Sequence, residues 1–315
     1  MSDSRARLRA GFAGGIRKGW GSFLWIAKIV VPVSFAVAVL QWGGWLQPAN
    51  VVLRPVMGWL HLPAEAALPI MAGMLINIYA CIASMSVIPF TTGQMTLIAV
   101  FTLICHNLIV EGVIQHRSGI GIVRITLIRI AAAVLTVLAI APFLGDTAVG
   151  VPAVAVDLAR PAPLAALRDW SLATLLLLGK VLGIIMLIMV VLEVMRALGW
   201  SRYLEQATRP LMKLLGLEGG AAALWVTAVV FGLMYGGAVI QEGIRQGELT
   251  RPQVERLHVS VGINHSMIED PALFMAMGLN GFWLWVPKLL AAVLFTHAYR
   301  MLEVFGRVRQ TGRGS

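Results

Sequence analysis

The sequence predicts an all-α, polytopic transmembrane bundle of about eight membrane segments, and three observations carry that prediction. Of the 315 residues, 58% are hydrophobic and 13% are charged, about half the charged share of an ordinary soluble domain. Apolar stretches of about 20 residues recur, which is the length a helix needs to cross the hydrocarbon core. The stretches are continuous rather than alternating, and backbone in lipid must satisfy its own hydrogen bonds, so they read as helices. A mean hydropathy of +0.82 agrees.

The apolar runs cover 23–40, 66–88, 95–113, 121–143, 172–194, 221–240, 259–277 and 282–298. The first follows a long basic lead and is interrupted by Lys28, so it reads as a mature membrane helix rather than a cleavable signal. Two shorter stretches look amphipathic and interfacial. One, 45–62, carries Pro48, Arg54 and Pro55, and the other, 199–217, carries Arg202, Glu205, Arg209, Pro210 and Lys213. Residues 145–169 hold Pro152, Pro161 and Pro163 among small residues and read as a linker on the non-cytoplasmic side. The expected organisation is therefore a first unit at 1–143, a Pro/Ala-rich linker at 144–170 and a second unit at 171–315.

The net charge is +10, with the positive residues gathered at the ends and in loops. Arg5, Arg7, Arg9, Arg17 and Lys18 precede the first run, and Arg300, Arg307, Arg309 and Arg313 follow the last. The positive-inside rule then puts both termini in the cytoplasm. No basic patch is interleaved with aromatics, which argues against nucleic acid as a partner. Trp20, Trp42, Trp45, Trp170, Trp200, Trp283 and Trp285 fall at run ends, as an interfacial belt does. Cys81 and Cys105 give neither a disulfide framework nor zinc-site spacing. Walker, dinucleotide, nucleophile-elbow and zinc-protease motifs are missing, so neither an enzyme nor ATP-driven transport is expected.

An internal repeat organises the polar residues. Lys28 matches Lys180, and Arg54-Pro55 matches Arg209-Pro210. Thr91 and Gln94 match Thr250 and Gln253, His106 matches His265, Glu111 falls on Asp270, and Arg129 on Lys288. The loop after the first helix carries few charges in the first half and four basic residues in the second. By the positive-inside rule, the halves are then inverted. Inversion needs an odd number of crossings, so one run per half is expected to be broken or re-entrant. The candidates are 66–88, with Asn77, and 221–240, with Gly236 and Gly237.

The sharpest constellation is His106, Asn107 and Glu111, with Asn264, His265, Glu269 and Asp270 as its counterpart. Ionisable residues at membrane depth are expensive and face a cavity, a partner or a pathway. His106 and Glu111 lie about 140° apart around a helix, whereas His265 and Glu269 share a face. The expected site is polar and forms where the two motifs meet. It would bind a polar solute or a coupling proton or cation, with no other cofactor. A metal, if one binds, would use His106, Glu111, His265 and Glu269, because two imidazoles and carboxylates can ligate a divalent ion. Asn77, Tyr79, Tyr235, Gln241 and Glu242 add polarity to the broken runs, and Asn77 and Glu242 join the expected substrate-binding set. Lys180 lies well inside its run and is expected to pair with a carboxylate such as Glu242 or Asp270.

The Thr91–Gln94 stretch, the His106–Glu111 and His265–Asp270 motifs and the Arg-Pro amphipathic segments together resemble the nucleoside-recognition, or Gate, domain family. That family takes in bacterial inner-membrane proteins of this length, the spore maturation proteins and the Gate domains of ferrous-iron transporters. The resemblance implies a multi-pass inner-membrane protein with inverted halves and a transport or gating role for a nucleoside-like or anionic solute. The same residues also suit a divalent-metal permease. A non-transporting membrane scaffold, acting as a homo-oligomer or beside a second membrane subunit, is the third expectation.

Overall fold

The computed structural model describes residues 2–45, 47–145, 162–247 and 249–311. All regular structure among them is helical. The helices in chain order are α1 (Ser2–Gly43), α2 (Gln47–Trp59), α3 (Ala67–Leu75), α4 (Ile78–Met85), α5 (Thr92–Ile104), α6 (Leu108–Arg117) and α7 (Ile122–Ile140). They continue as α8 (Pro163–Ala197), α9 (Ser201–Leu214), α10 (Ala222–Phe231), α11 (Leu233–Arg245), α12 (Arg251–Asn264), α13 (Glu269–Ala276) and α14 (Gly281–Thr311). Short 3-10 turns, Ala64–Ala66 and Gly219–Ala221, lead into α3 and α10.

Five segments among the described residues are long and apolar enough to cross a membrane: Arg5–Gly43, Thr92–Arg117, Ile122–Phe143, Pro163–Ala197 and Gly281–Glu303. The remaining expected runs are divided. Run 66–88 becomes α3 and α4, broken at Ile76 and Asn77, where the Asn77 side chain caps α4 by accepting from Ala80 N–H at 3.0 Å. Run 221–240 breaks at Gly232, whose φ of +81° suits a residue without a Cβ. Gly236 and Gly237, expected to mark that break, sit inside α11 instead, and Gly236 packs its backbone on Ala228. Runs 95–113 and 259–277 are interrupted as well, between α5 and α6 and between α12 and α13. Each half therefore carries two interrupted runs, where the sequence led us to expect one. The linker expected at 144–170 falls largely outside the described residues, and helix α8 takes over from Pro163.

α1 and α8 form the outer layer and pack antiparallel. Gly11 abuts Val194 and Ala197, Gly15 abuts Val190, and Gly19 abuts Met186. Farther along, Trp170 donates its indole N–H to Ser34 at 3.2 Å. Positions that rise along α1 thus meet positions that fall along α8. The Gly11–Gly15–Gly19 stripe brings the backbones close, which is how helices associate where lipid removes the hydrophobic drive. Lys18 closes this contact on Glu193 at 2.7 Å.

α5 and α12 lie inside the bundle. Leu97, Ile98, Val100, Leu103 and Ile104 are fully covered, as are Leu257, Val259, Val261 and Ile263. Both helices start with a capping box. Gln94 N–H donates to Thr91 Oγ1 at 3.2 Å while Thr91 N–H donates to Gln94 Oε1 at 3.1 Å. Thr250 and Gln253 repeat the arrangement. Removing the Thr91 hydroxyl frees one helix-end donor, the N–H of buried Gln94. Thr91→Ala is expected to lower stability by about 1 kcal/mol, measured as a lower thermal midpoint of the detergent-purified protein.

Candidate functional site

The site grows out of the two interruptions that follow α5 and α12. A histidine follows the end of each of these inner helices, and the backbone then turns through one non-glycine residue of positive φ. Asn107 has φ +47°, and Ser266 has φ +52°. Asn tolerates this region better than most residues, whereas Ser pays more for it, so tertiary contacts must hold the second turn. Asn107 N–H donates to Gly73 O at 2.9 Å, and Met267 N–H donates to Val229 O at 2.9 Å. The backbone freed by each break is thus satisfied by a neighbouring short helix, as irregular backbone at membrane depth requires.

Two buried cations cover the exposed carbonyls. Arg129, on α7, donates Nε to Ile104 O at 3.0 Å and Nη2 to His106 O at 2.8 Å. Lys288, on α14, donates Nζ to His265 O at 2.7 Å. Both side chains are almost wholly buried, at 1% and 0% exposure. A cation at a helix C-terminus also complements the negative end of the helix dipole. Arg129 further holds Glu111, with Nη1 2.8 Å from Oε2.

The two imidazoles meet between these ends, tilted 41° to each other with ring centroids 4.7 Å apart. His106 Nδ1 lies 2.9 Å from Thr102 O, and His265 Nδ1 lies 3.1 Å from Val261 O. A backbone carbonyl only accepts, so each Nδ1 carries the hydrogen and each neutral ring presents a lone pair at Nε2. Those two Nε2 atoms are 3.1 Å apart. Glu111 Oε1 is 3.1 Å from His265 Nε2 and 3.3 Å from His106 Nε2, and Asp270 Oδ2 is 3.4 Å from His106 Nε2. With both rings neutral, the centre is four acceptors turned toward one another. Asp270 Oδ2 is a buried oxygen with no hydrogen-bond partner.

Of the residues expected from sequence, His106, Glu111, His265 and Asp270 come together. Asn264, fully buried between them in sequence, has no partner for either amide atom. Asn107 acts through its backbone turn. Glu269, expected among the metal ligands, instead accepts from Tyr79 O–H at 2.7 Å, and Asp270, expected only in the substrate-binding set, lies beside the two histidines as a potential ion ligand. Asn77 is a helix cap. Glu242 lies outside the cluster, bound to Arg245 at 2.8 Å. Gln241 reaches Arg117 O, and the Tyr235 side chain lies outside the described residues. Lys180 is exposed on α8, not paired in the interior. The cations that serve the site are Arg129 and Lys288. Their matching positions in the two halves signalled them, although nothing in the sequence says which carbonyls they reach. A separate cavity of about 600 Å³, lined by Arg124, Leu127, Glu255, Phe295, Tyr299 and Glu303, includes none of these residues.

Comparison with known proteins places the chain in the same company as its composition. It is 26% identical over 292 residues to the uncharacterized membrane protein YvoD of Bacillus subtilis (strain 168), with 92% of each chain covered. No family model and no solved structure matches it. The chain is a multi-pass, α-helical membrane protein with several apolar helices.

Proposed function

We propose that the chain is a secondary permease of the bacterial inner membrane that carries a small cation through the His106–His265 centre. The observation behind this is the convergence of two imidazoles and two carboxylates, one of each from each half, at the buried ends of interrupted helices. Broken helices that bring charged groups to the middle of a bundle are how many transporters build an ion site. The halves are read as inverted repeats of Gate type, 1–143 and 171–315. The antiparallel pairing of α1 with α8, the first helices of each, supports that orientation. Both termini are then cytoplasmic and the linker is outside. His106 Nε2 lies 3.1 to 3.4 Å from His265 Nε2, Glu111 Oε1 and Asp270 Oδ2, which leaves room for one ion beside it. A nucleoside-like or anionic solute would have to part them, so the cation is the better-supported cargo or coupling ion.

The test is flux in proteoliposomes, read with an entrapped pH dye and an entrapped divalent-sensing dye. His106→Ala and His265→Ala are each expected to abolish cation movement while the protein remains monodisperse. Wild-type flux in the double variant would sink the proposal. A folded protein that moves neither protons nor divalent ions would leave the scaffold reading instead.

A further inference from the structure

Building on the permease reading, we infer that the centre is a binding site for a divalent first-row transition metal of borderline character, held by His106 Nε2, His265 Nε2, Asp270 and Glu111.

The first support is spacing. A four-coordinate ion with ligands at about 2.0–2.1 Å has ligand-to-ligand edges of roughly 3.3–3.4 Å. Four of the six edges here measure 3.1, 3.1, 3.3 and 3.4 Å. The two Nε2 atoms and an Asp270 carboxylate oxygen lie within 4.8 Å of one another. A proton bridges two of these atoms at a time, whereas a metal ion engages all of them.

The second support is orientation. A metal-ligating histidine donates its other ring N–H to a carbonyl or carboxylate, which fixes the tautomer and aims the lone pair. Both histidines do this through the carbonyl four residues earlier, Thr102 O and Val261 O. Two aimed lone pairs at 3.1 Å repel each other unless a cation lies between them. Glu111 is held through an ion pair with Arg129 on its far oxygen, at 2.8 Å.

The third support is ligand type, with Arg129 and Lys288 offsetting the charges of Glu111 and Asp270. Two nitrogens and two carboxylate oxygens suit zinc, iron(II), cobalt(II) or manganese(II) better than calcium, which takes oxygens alone, or copper(I), which takes sulfur. The buried basic pair also keeps the negative charge small, which favours an ion that must leave again.

Cobalt(II) added to the purified full-length protein in detergent is the probe. One equivalent is expected to bind with the intense visible bands of a tetrahedral site and to be displaced by zinc. His106→Ala and His265→Ala should each weaken binding by roughly 100-fold or more, beyond the 10–100-fold cost of losing a group that only orients a ligand. His297→Ala, at a half-buried histidine outside the centre bonded to Leu214 O, should leave it unchanged. X-ray absorption of the wild-type complex should show nitrogen and oxygen neighbours with imidazole scattering, which holds even if a histidine variant fails to fold. Absence of cobalt binding, a sulfur ligand, or binding that survives the double histidine variant would overturn the inference. Proton flux dependent on His106 without metal binding would defeat the metal site and spare the permease. Metal binding without flux would do the reverse.

Discussion

Replacing Arg129 with Met is expected to cost about 3–5 kcal/mol of stability, because it removes one partner of a buried ion pair and leaves the other charge alone. Met fills much of the same space, so packing is a minor part of the loss. Three groups lose their partner together: the Glu111 carboxylate at 2.8 Å, Ile104 O at 3.0 Å and His106 O at 2.8 Å. Glu111 is only 5% exposed, so water cannot take over. The measurement is the thermal midpoint of the detergent-purified protein. Arg129→Lys should fall between, since one ammonium cannot serve a carboxylate and two carbonyls with the fixed fork of a guanidinium. Adding Glu111→Gln to Arg129→Met should recover part of the loss by removing the orphaned charge. A single variant of wild-type stability would show that the pair is not formed. Lys288→Met, which uncovers His265 O, should cost less, about 1–3 kcal/mol for an unpaired buried acceptor.

Gly15→Ala is expected to destabilise the α1–α8 pair by about 1–3 kcal/mol, the usual cost of overpacking a tight contact. A Cβ on Gly15 would lie 2.5 Å from Val190 Cα and 2.9 Å from both Met189 O and Val190 N. These are backbone atoms, so no rotamer change relieves the clash and the two helices must part. Gly21 is the internal control, because a Cβ there meets nothing within 4 Å. Gly21→Ala should be neutral or stabilising by up to about 1 kcal/mol, the difference in helix propensity. Opposite signs for two Gly→Ala changes six residues apart on one helix separate packing from propensity. Equal effects would mean that α1 does not cross α8 at Gly15.

Much of the molecule was legible in the chain because its physics is local. The cost of an unsatisfied backbone group in hydrocarbon makes long apolar runs helical, and α7, α8 and α14 follow from that alone. Thr91 with Gln94 and Thr250 with Gln253 stood out as matched positions, and the structure makes each pair a capping box at a helix start. The stripe Gly11–Gly15–Gly19 emerged only with the structure, since glycine spacing does not say which helix it meets. The breaks were harder. Asn77 marked one correctly, while Gly236 and Gly237 pointed to the wrong turn, because glycine serves close packing inside a helix as well as positive φ between helices. Asn107 and Ser266 carry the two turns that matter most, and neither residue type demands such a turn.

The site divides in the same way. The sequence by itself determined that His106 with Glu111 and His265 with Asp270 occupy matching places near the ends of apolar runs, and that such groups at membrane depth need partners. It also set Arg129 opposite Lys288. The tertiary structure alone decided who partners whom: Glu111 with the histidine of the other half, Glu269 with Tyr79 instead of the imidazoles, Glu242 left at the surface, and the two cations on the carbonyls that the broken helices expose. The reason is that hydrogen-bond and charge partners in a membrane protein are chosen by distance in a low-dielectric interior, and residues about 150 apart in the chain come within 3.1 Å only when the helices have packed.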